Sequence, residues 1–204
     1  MQSTPTEMAW PEPISLHRNL ASVVPLDHAH CTDLMACAAD GSLHELWYTT
    51  VPAPDRVADE ISRRLERRDA GSWLPFAVID ATTEKPVGMT NYLNIDAVNR
   101  RVEIGGTWYR ESAQRTGINT ECKYLMLSHA FEELGCNAVE FRTHYINQRS
   151  RRAIERLGAK FDGILRAHMI MPNGTLRDTA VYSIIAPEWP TIKAHLVWHM
   201  DKPR

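Results

Sequence analysis

The chain has 204 residues, of which 44% are hydrophobic and 24% are charged, and its formal net charge is −2 at pH 7. This length and composition predict a single globular domain over residues 1–204, and the charge gives no electrostatic basis for binding nucleic acid or an anionic membrane. No apolar run approaches the roughly 20 residues that cross a bilayer. The four cysteines lack Cys-x-x-Cys spacing, so we expect a reduced, cytoplasmic protein.

Hydrophobic periodicity predicts helices and strands in the first half of the chain. In order, the predicted elements are a loose lead-in over residues 1–15, a strand over 20–26, helices over 27–39 and 55–70, and strands over 73–80, 87–95 and 101–109. The second helix is predicted from Val57, Ile61 and Leu65, which recur every fourth residue as an apolar stripe. We interpret its arginines, Arg63-Arg64 and Arg67-Arg68, as a solvated face because acidic residues interleave with them.

A central helix and a terminal hairpin dominate the predicted second half. In order, the elements are a helix from about residue 119 to 134, a strand over 138–143, a short helix over 150–157, strands over 161–171 and 175–185, and a terminal helix over 188–200. Asn173-Gly174 is the strongest turn signal in the chain and predicts that the last two strands form a hairpin. Gly158 is expected to end the short helix in the left-handed conformation, and Gly105-Gly106 to mark a bulge or a close backbone approach.

The segment before the central helix has the features of an anion-binding site. Its residues are Gln114, Arg115, Thr116, Gly117, Ile118, Asn119 and Thr120. It joins a strand to a helix N-terminus, whose unpaired N–H groups and dipole attract negative charge. Gly117 allows a close backbone approach, Arg115 adds a positive charge, Lys123 lies one turn further on, and Asn119 is a good N-cap. A pyrophosphate is the natural ligand, although neither a P-loop nor a Gly-x-Gly-x-x-Gly dinucleotide motif is present.

This segment resembles the Gln/Arg-x-x-Gly-x-Gly/Ala loop with which GNAT-superfamily acetyltransferases hold acetyl-coenzyme A. Asn119 departs from that pattern, which has Gly or Ala there. Val102-Glu103-Ile104-Gly105 resembles the fourth strand of RimJ/RimL-type members, and residues 147–159 resemble their Asn-x-x-Ser…Leu-Gly segment. The resemblance covers residues 20–185. It implies an α/β (α+β) GNAT fold, in which helices flank a mixed, mostly antiparallel central sheet that splays between the fourth and fifth strands.

The resemblance also implies roles for individual residues. Acetyl-CoA would be the co-substrate, without a metal, and Glu103 the base that takes a proton from the acceptor amine. Ser150 would be the acid at the coenzyme A sulfur, with Tyr145 as a rival, and backbone N–H groups around residues 106–108 would bind the oxyanion. The implied coenzyme-binding residues are Thr107, Trp108, Gln114, Arg115, Thr116, Gly117, Ile118, Asn119, Thr120, Asn147 and Arg152. The candidate acceptor-binding residues are Asn91, Tyr92 and His168, with Trp47, Tyr48 and Trp73 as further aromatic candidates.

Each assignment has a structural alternative. Glu103 can pair with Arg101 or another strand neighbour, Ser150 can be the N-cap of the short helix, and Asn147 can form an Asx-turn. For the aromatic residues the alternative is core packing, and for the arginines beside Ser150 it is a solvated helix face. The run His28-Ala29-His30-Cys31 could hold a metal only if its side chains converged. Residues two apart on a helix point in different directions, so we expect no metal there.

The predicted function is acetyl transfer from acetyl-CoA to a primary amine by direct transfer, with no acyl-enzyme. The acceptor could be a protein N-terminus, an amino acid, an aminoacyl conjugate or another small amine, and family resemblance adds a homodimer as an expectation. An acyl-CoA sensor or scaffold that binds without turnover is the alternative. The carboxylate of Glu103 and the hydroxyl of Ser150 favour the enzyme. A nucleotide-dependent enzyme is disfavoured because the phosphate-binding lysine motif is missing.

Overall fold

Eight strands form one sheet, whose spatial order is β1-β2-β3-β4-β5-β6-β8-β7 in a computed structural model that describes residues 10–202. The strands are β1 Leu16–His17, β2 Ala21–Pro25, β3 Leu74–Asp80, β4 Lys85–Asp96, β5 Arg101–Tyr109, β6 Ala138–His144, β7 Lys160–Ile170 and β8 Leu176–Ile185. Neighbouring strands pair antiparallel except β5 and β6, which run parallel. The predicted mixed, mostly antiparallel sheet is therefore confirmed.

Helices cover both faces of the sheet. They are α1 Cys31–Ala39, α2 Val57–Asp69, α3 Ile118–Ser128 with a π-helical continuation over His129–Glu133, α4 Gln148–Glu155 and α5 Trp189–Asp201. One buried cluster joins α1 and α2 to Ala77, Met89 and Trp108 of the strands. A larger cluster joins α3, α4 and α5 to strand residues that include Val102 and Ile104. Because side chains alternate along a strand, each strand residue faces either the α1/α2 face or the α3/α5 face.

The sheet opens into a fork between β5 and β6. These two strands pair over only three residues each, Arg101–Glu103 with Ala138–Glu140, before they diverge. Strand β5 then continues to Tyr109 and β6 to His144, each without the other as a ladder partner. The splayed sheet that the family resemblance implied is thus confirmed. The fork exposes the backbone of both strands on their facing sides.

A bulge interrupts β5 beside this fork. Asn91 pairs with Gly105 and Met89 pairs with Trp108, so Gly106 and Thr107 together oppose a single residue of β4. Gly106 has φ +58°, a conformation that side chains disfavour, and an added Cβ would lie 2.5 Å from Nδ2 of Asn91. The bulge predicted at the paired glycines is confirmed.

The hairpin and the helix end in the second half also match their sequence signals. Residues 171–175 form the turn between β7 and β8, where Gly174 has φ +81° and the Met171 amide donates to Thr175 O at 2.8 Å. Gly158 has φ +92° after α4, as expected for a left-handed cap. The lead-in over residues 1–15 lies partly outside the described residues, and the short strand β1 follows it. That strand was not predicted because two residues carry no periodicity.

Candidate active site

Helix α3 presents an uncapped N-terminus near the open end of the fork. The helix begins at Ile118, and its N-cap residue is Gly117 with φ −72°, so the expectation that Asn119 is the N-cap is wrong. Within residues 10–202 no side chain caps this helix, apart from the Thr116 hydroxyl 3.3 Å from the Ile118 amide. Asn119 instead lies in the first turn. Among the described residues the helix start thus lacks a capping carboxylate or amide side chain, as a helix N-terminus that binds an anion requires.

The loop that leads into α3 is held by its own side chains. Gln114 Nε2 donates to Tyr109 O at 2.8 Å, and its Oε1 accepts from Arg149 of α4. Thr116 Oγ1 donates to Ala113 O at 2.7 Å. Arg115 adopts φ +61° and is exposed. The loop thus presents a cation beside the helix N-terminus, as predicted, while Gln114 serves as a brace between the loop and α4.

Lys123 does not point toward the anion site. It is only 6% exposed, and its Nζ donates to Thr90 Oγ1 at 3.0 Å and to Thr107 Oγ1 at 2.7 Å. Burial lowers the pKa of Lys123 from 10.5 to about 8. Thr107 is therefore connected through its hydroxyl to α3, and only its backbone is free to contact a coenzyme in the fork.

Glu103 lies at the closed end of the fork, on the α1/α2 face. It is the last β5 residue that pairs with β6, and it is 6% exposed. Its Oε2 accepts from Asn94 Nδ2 at 2.7 Å and lies 3.5 Å from Nε of Arg142. Burial raises the pKa of Glu103, although the charge of Arg142 and the hydrogen bond from Asn94 oppose that effect.

A small cavity of about 230 Å³ surrounds this carboxyl group. Its lining residues are Asn94, Asp96, Arg101, Val102, Glu103, Glu140 and Arg142. Arg101 pairs with Glu140 and not with Glu103, and Arg142 donates to Glu140 at 2.8 Å as well as approaching Glu103. Gly105 leaves the room above the carboxylate, since a Cβ there would come within 2.8 Å of Glu103 Oε1.

A buried arginine fixes the bulge from the α1/α2 face. Arg64 of α2 donates to Glu60 at 2.7 Å, to Asn91 Oδ1 at 3.1 Å and to Gly106 O at 3.1 Å. Asn91 Nδ2 in turn donates to Gly105 O at 2.9 Å. The carbonyl groups of Gly105 and Gly106 both point toward the α1/α2 face. Because peptides are planar and trans, the following N–H groups of Gly106 and Thr107 point the opposite way.

Arg64 corrects the interpretation of α2 as a helix with a wholly solvated basic face. Its side chain is 2% exposed, whereas that of Arg63 next to it is 47% exposed. The sequence did contain a signal. Position 64 follows Val57 by seven and Ile61 by three, which puts it on the apolar stripe rather than opposite to it.

Asn147 and Ser150 open helix α4 on the β6 side of the fork. The helix begins at Gln148 and Asn147 is its N-cap, with Oδ1 accepting from the Ser150 amide at 3.0 Å. The alternative that Ser150 is the N-cap is therefore wrong. The Ser150 hydroxyl has no hydrogen bond to the described residues and is partly exposed. Arg152 is exposed, and Arg156 rather than Arg152 reaches across to α3, donating to Thr120 Oγ1 at 3.0 Å.

Three predicted site residues are buried in structural positions. Tyr92 is fully buried and its hydroxyl donates to Met126 O at 2.6 Å on the α3/α5 face, so it does not line an acceptor pocket. Asn91 is also fully buried, and its amide group is occupied by the bulge contacts. Trp108 packs in the α1/α2 cluster, so only its backbone adjoins the fork. Trp73 contacts Arg63, with the guanidinium 5.0 Å from its ring centroid.

His168 lies in a polar group beyond Glu103 on the α1/α2 face. Its Nδ1 is 3.1 Å from Thr179 Oγ1, which also accepts from Arg177 Nε at 2.9 Å. Strand β6 brings His144 directly opposite Thr179. The ring of Trp47 lies 5.6 Å from that of His144. The strand predicted over residues 138–143 ends one residue before His144, which closes β6 in the structure, and no sequence motif singles out Arg177. The alternation over β8, in which Arg177, Thr179 and Val181 share one face, could have identified it.

Two further expectations concern metals and membranes. No group of three or more His, Cys, Asp or Glu side chains in residues 10–202 could hold a metal ion. Across the same residues, every helix is too short or too polar to span a bilayer.

Comparison with known proteins gives concordant matches. A family model described as an acetyltransferase (GNAT) domain matches residues 22–160. The chain is 35% identical over 102 residues to the Bacillus subtilis protein YdaF, which is named for ribosomal N-acetyltransferase activity. It is 26% identical over 141 residues to YjcK from the same organism, which is named for N-acetyltransferase activity. The YdaF match spans 50% of this chain and 55% of that protein, and the YjcK match spans 69% and 76%. The chain thus matches little more than half the length of YdaF.

Solved structures extend the likeness to nearly the whole chain. A GCN5-related N-acetyltransferase from Brucella melitensis superposes with a TM-score of 0.83 at 31% identity, covering 92% of this chain and 86% of that one. The ribosomal L7/L12 α-N-protein acetyltransferase RimL, solved in complex with coenzyme A, superposes with a TM-score of 0.71 at 16% identity, covering 84% and 98%. At that identity the RimL match concerns the fold alone.

Proposed function

This chain belongs to the GNAT acetyltransferase family, and from that premise we propose that it transfers the acetyl group of acetyl-CoA to a primary amine. The observation that carries the proposal is the arrangement around one fork. An uncapped helix N-terminus lies near its open end, and a buried carboxyl group, Glu103, lies at its closed end. An anion and a protonatable amine therefore each have a suitable partner along one path.

Acetyl-CoA supplies the activated acetyl group as a thioester, and the chain supplies its binding surfaces. The first-turn amides of α3 and the cation of Arg115 suit a pyrophosphate. The facing edges of β5 and β6 offer unpaired backbone groups to an amide-bearing arm. The remaining coenzyme contacts that we propose are the backbone of Thr107 and Trp108 and the side chains of Asn147 and Arg152.

In the proposed reaction the amine attacks the thioester carbonyl carbon, the C–N bond forms and the C–S bond breaks. Glu103 takes the proton that the amine nitrogen loses, directly or through a water. The N–H groups at the bulge, which Arg64 and Asn91 orient, donate to the developing oxyanion. Ser150, which is partly exposed, passes a proton to the departing sulfur and regains one from solvent, so that coenzyme A leaves as the thiol, and Glu103 later releases its proton to solvent. A carboxyl group with a raised pKa is the better base near neutral pH.

The names of the relatives bear on the acceptor. YdaF is named for ribosomal N-acetyltransferase activity, which makes a protein N-terminus one candidate acceptor beside amino acids and other small amines. We propose that the protein works in the cytoplasm, where its four free cysteines would stay reduced. Its function as a homodimer is likewise a proposal from family resemblance.

The test is the substitution Glu103→Gln, which keeps the shape of the side chain and removes the base. We expect kcat to fall about a hundredfold or more, while the affinity for acetyl-CoA changes little. Activity of the unchanged protein should decline on the acid side at a pH above the range of an ordinary glutamate, because the pKa of Glu103 is raised. Thiol release followed with DTNB across an amine panel measures kcat, the KM for acetyl-CoA and the pH dependence of activity. The exposed Glu66→Gln on α2 is the control, and an unaltered kcat in Glu103→Gln would remove this residue from the reaction.

The same assay separates the alternatives. Binding of acetyl-CoA without thiol release in any amine would favour a sensor or scaffold. Stronger protection against heat by ATP than by acetyl-CoA would favour a nucleotide-dependent enzyme instead.

A further inference from the structure

A row of polar side chains extends from Glu103 along the α1/α2 face. Strand β6 carries Glu140, Arg142 and His144 at every second position, and its alternate residues Val139 and Phe141 lie in the α3/α5 core. On the neighbouring strand, Thr179 pairs directly with His144. Cross-strand partners point to the same side, so Thr179 and its contacts with Arg177 and His168 belong to this row.

Arg177 differs from the other arginines near this row because it lacks a carboxylate partner. Arg101 and Arg142 pair with Glu140, and Arg166 pairs with Asp178. Across the part of the chain that the structure describes, Arg177 makes one side-chain hydrogen bond, from Nε to Thr179 Oγ1 at 2.9 Å. Its two terminal nitrogens are left without a protein acceptor, although the residue is half-buried. Burial lowers the pKa of Arg177, because it disfavours the charged form of the guanidinium.

His144 adds a second donor without a partner. The residue is only 5% exposed, and Nε2 is buried without a hydrogen bond to residues 10–202. Nδ1 lies 3.4 Å from the Ile146 amide and can accept from it, which leaves the proton of the neutral ring on Nε2. Burial, and then the charge of Arg177, lower the pKa of His144, so the neutral ring prevails at pH 7. A buried N–H without an acceptor costs free energy that a ligand oxygen would recover.

Arg177 lies within electrostatic range of the base. Arg142 contacts Glu103 at 3.5 Å, and the charge of Arg177 acts on the pKa of both Glu103 and His144. Arg177 and Glu103 are nevertheless not in ion-pair contact, so the base does not neutralise the guanidinium charge. The row also lies on the opposite side of the sheet from α3, whose N-terminus is the proposed pyrophosphate site. The phosphates of coenzyme A therefore do not account for the unpaired cation.

We propose that Arg177 and His144 form an anion subsite for the acceptor, so that the acceptor is a primary amine that also carries a carboxylate a few bonds from its nitrogen. The inference rests on the proposed acetyl transfer and narrows its substrate. The carboxylate accepts from the terminal nitrogens of Arg177 and from Nε2 of His144, while the amine lies toward Glu103. Free amino acids have this chemistry, and so do peptides that begin with aspartate or glutamate.

The experiment compares matched acceptors with and without the carboxylate. One arm uses the standard amino acids and their α-amides, and the other uses peptides that begin with Asp or Glu and their Asn or Gln counterparts. We expect kcat/KM to be about 10- to 100-fold higher for the carboxylate member in the arm that contains the natural acceptor type. Arg177→Gln should abolish that preference, chiefly by raising the acceptor KM, with the KM for acetyl-CoA nearly unchanged.

Two variants control for damage to the fold. Arg177→Lys retains the charge and should keep part of the preference, while Arg166→Gln, at an arginine that is 80% exposed on β7, should leave it intact. Thermal unfolding of each variant verifies that it folds. Equal rates for both members of every pair, or an Arg177→Gln defect confined to acetyl-CoA, would overturn the inference while acetyl transfer stands. No thiol release with any amine, despite acetyl-CoA binding, would overturn acetyl transfer and this inference with it.

Discussion

The side chain of Lys123 is an ammonium group enclosed by the protein, and within residues 10–202 no carboxylate pairs with it. Its described hydrogen bonds go to the hydroxyls of Thr90 and Thr107, which are themselves 2.8 Å apart. Burial disfavours the charged form and lowers the pKa to about 8. Near neutral pH the folded protein therefore holds a charge that it stabilises poorly.

The substitution Lys123→Met should remove that penalty. A pKa lowered from 10.5 to about 8 corresponds to about 3 kcal/mol of free energy of unfolding. The unfolded chain binds the extra proton between these two pH values, so the unchanged protein gains stability as pH rises through them. We expect any advantage of Lys123→Met at pH 7 to shrink by about that amount by pH 10.5. Urea unfolding at several pH values measures the difference.

Lys193→Met is the control for this measurement. Lys193 is partly exposed and pairs with Glu132 at 2.7 Å, which raises its pKa rather than lowering it. The difference in free energy of unfolding between Lys193→Met and the unchanged protein should therefore not shrink between pH 7 and pH 10.5. A stability difference between Lys123→Met and the unchanged protein that stays constant with pH would contradict a lowered pKa for Lys123.

The location of Glu103 could be predicted from a short motif, whereas the direction of the Lys123 side chain depends on packing. The glutamate at position 103 was identified from the resemblance of Val102-Glu103-Ile104-Gly105 to a family strand, and the structure locates it at the fork. Lys123 was assigned to the anion site by its distance along the helix. The Lys123 side chain points instead to the hydroxyls of Thr90 on β4 and Thr107 on β5, and no local sequence pattern predicts that contact.

At the scale of elements, the β5 bulge depends on α2. Arg64 and Asn91 between them occupy both carbonyls of residues 105 and 106. We expect Arg64→Met to lower the free energy of unfolding by about 2 to 4 kcal/mol, because Gly106 O and the carboxylate of Glu60 lose a buried donor. We also expect kcat to fall, because the bulge amides lose their fixed direction. Chemical denaturation and steady-state kinetics test the two effects.

Arg63→Met is the matched control on the same helix turn. Arg63 pairs with the same Glu60 but is 47% exposed, so its removal should cost about 1 kcal/mol or less and spare kcat. Equal losses in the two variants would mean that the ion pair with Glu60, rather than the contact with the bulge, explains the Arg64 effect. Glu60→Gln, which keeps both contacts of Arg64 to the bulge region, should retain kcat.

The start of α3 makes a second prediction for an element. Gly117→Trp introduces a large side chain at a buried N-cap position, and we expect it to abolish measurable binding of acetyl-CoA by filling the space before the first-turn amides. Isothermal titration calorimetry measures the affinity, and circular dichroism verifies that the helices persist. Retained affinity in a folded variant would mean that the pyrophosphate binds elsewhere.

Element boundaries followed from periodicity and turn chemistry in most of the chain. The Asn173-Gly174 hairpin, the left-handed Gly158 and the bulge at Gly105-Gly106 all lay where the sequence indicated. The N-cap positions were less predictable. Asn147 rather than Ser150 is the N-cap of α4, and Gly117 rather than Asn119 is the N-cap of α3. The N-cap position depends on where the chain leaves the preceding strand, which periodicity does not fix to the residue.

For the molecule as a whole, the proposed co-substrate should act as a stabilising ligand. Acetyl-CoA that binds only the folded chain adds about 2.7 kcal/mol when its concentration is a hundred times Kd. A Tm increase of several degrees should follow in differential scanning fluorimetry, and ATP at equal concentration should give a smaller one. Glu103→Gln should retain the increase, since Glu103 is proposed to act on the amine. No shift with acetyl-CoA would contradict coenzyme binding at the fork.

Strands β5 and β6 pair over only three residues, which bears on whether the protein aggregates through its strand edges. Unpaired strand edges on a protein surface can recruit the strands of other chains, which leads to aggregation. Here two such edges face each other within one molecule and converge on residues 103 and 140. A strand of another protein would have to fit its side chains into the gap between β5 and β6, which narrows toward residues 103 and 140. The pantetheine arm of coenzyme A has no such side chains and can enter the gap. The geometry that suits a thioester carrier thus also screens these edges from neighbouring proteins.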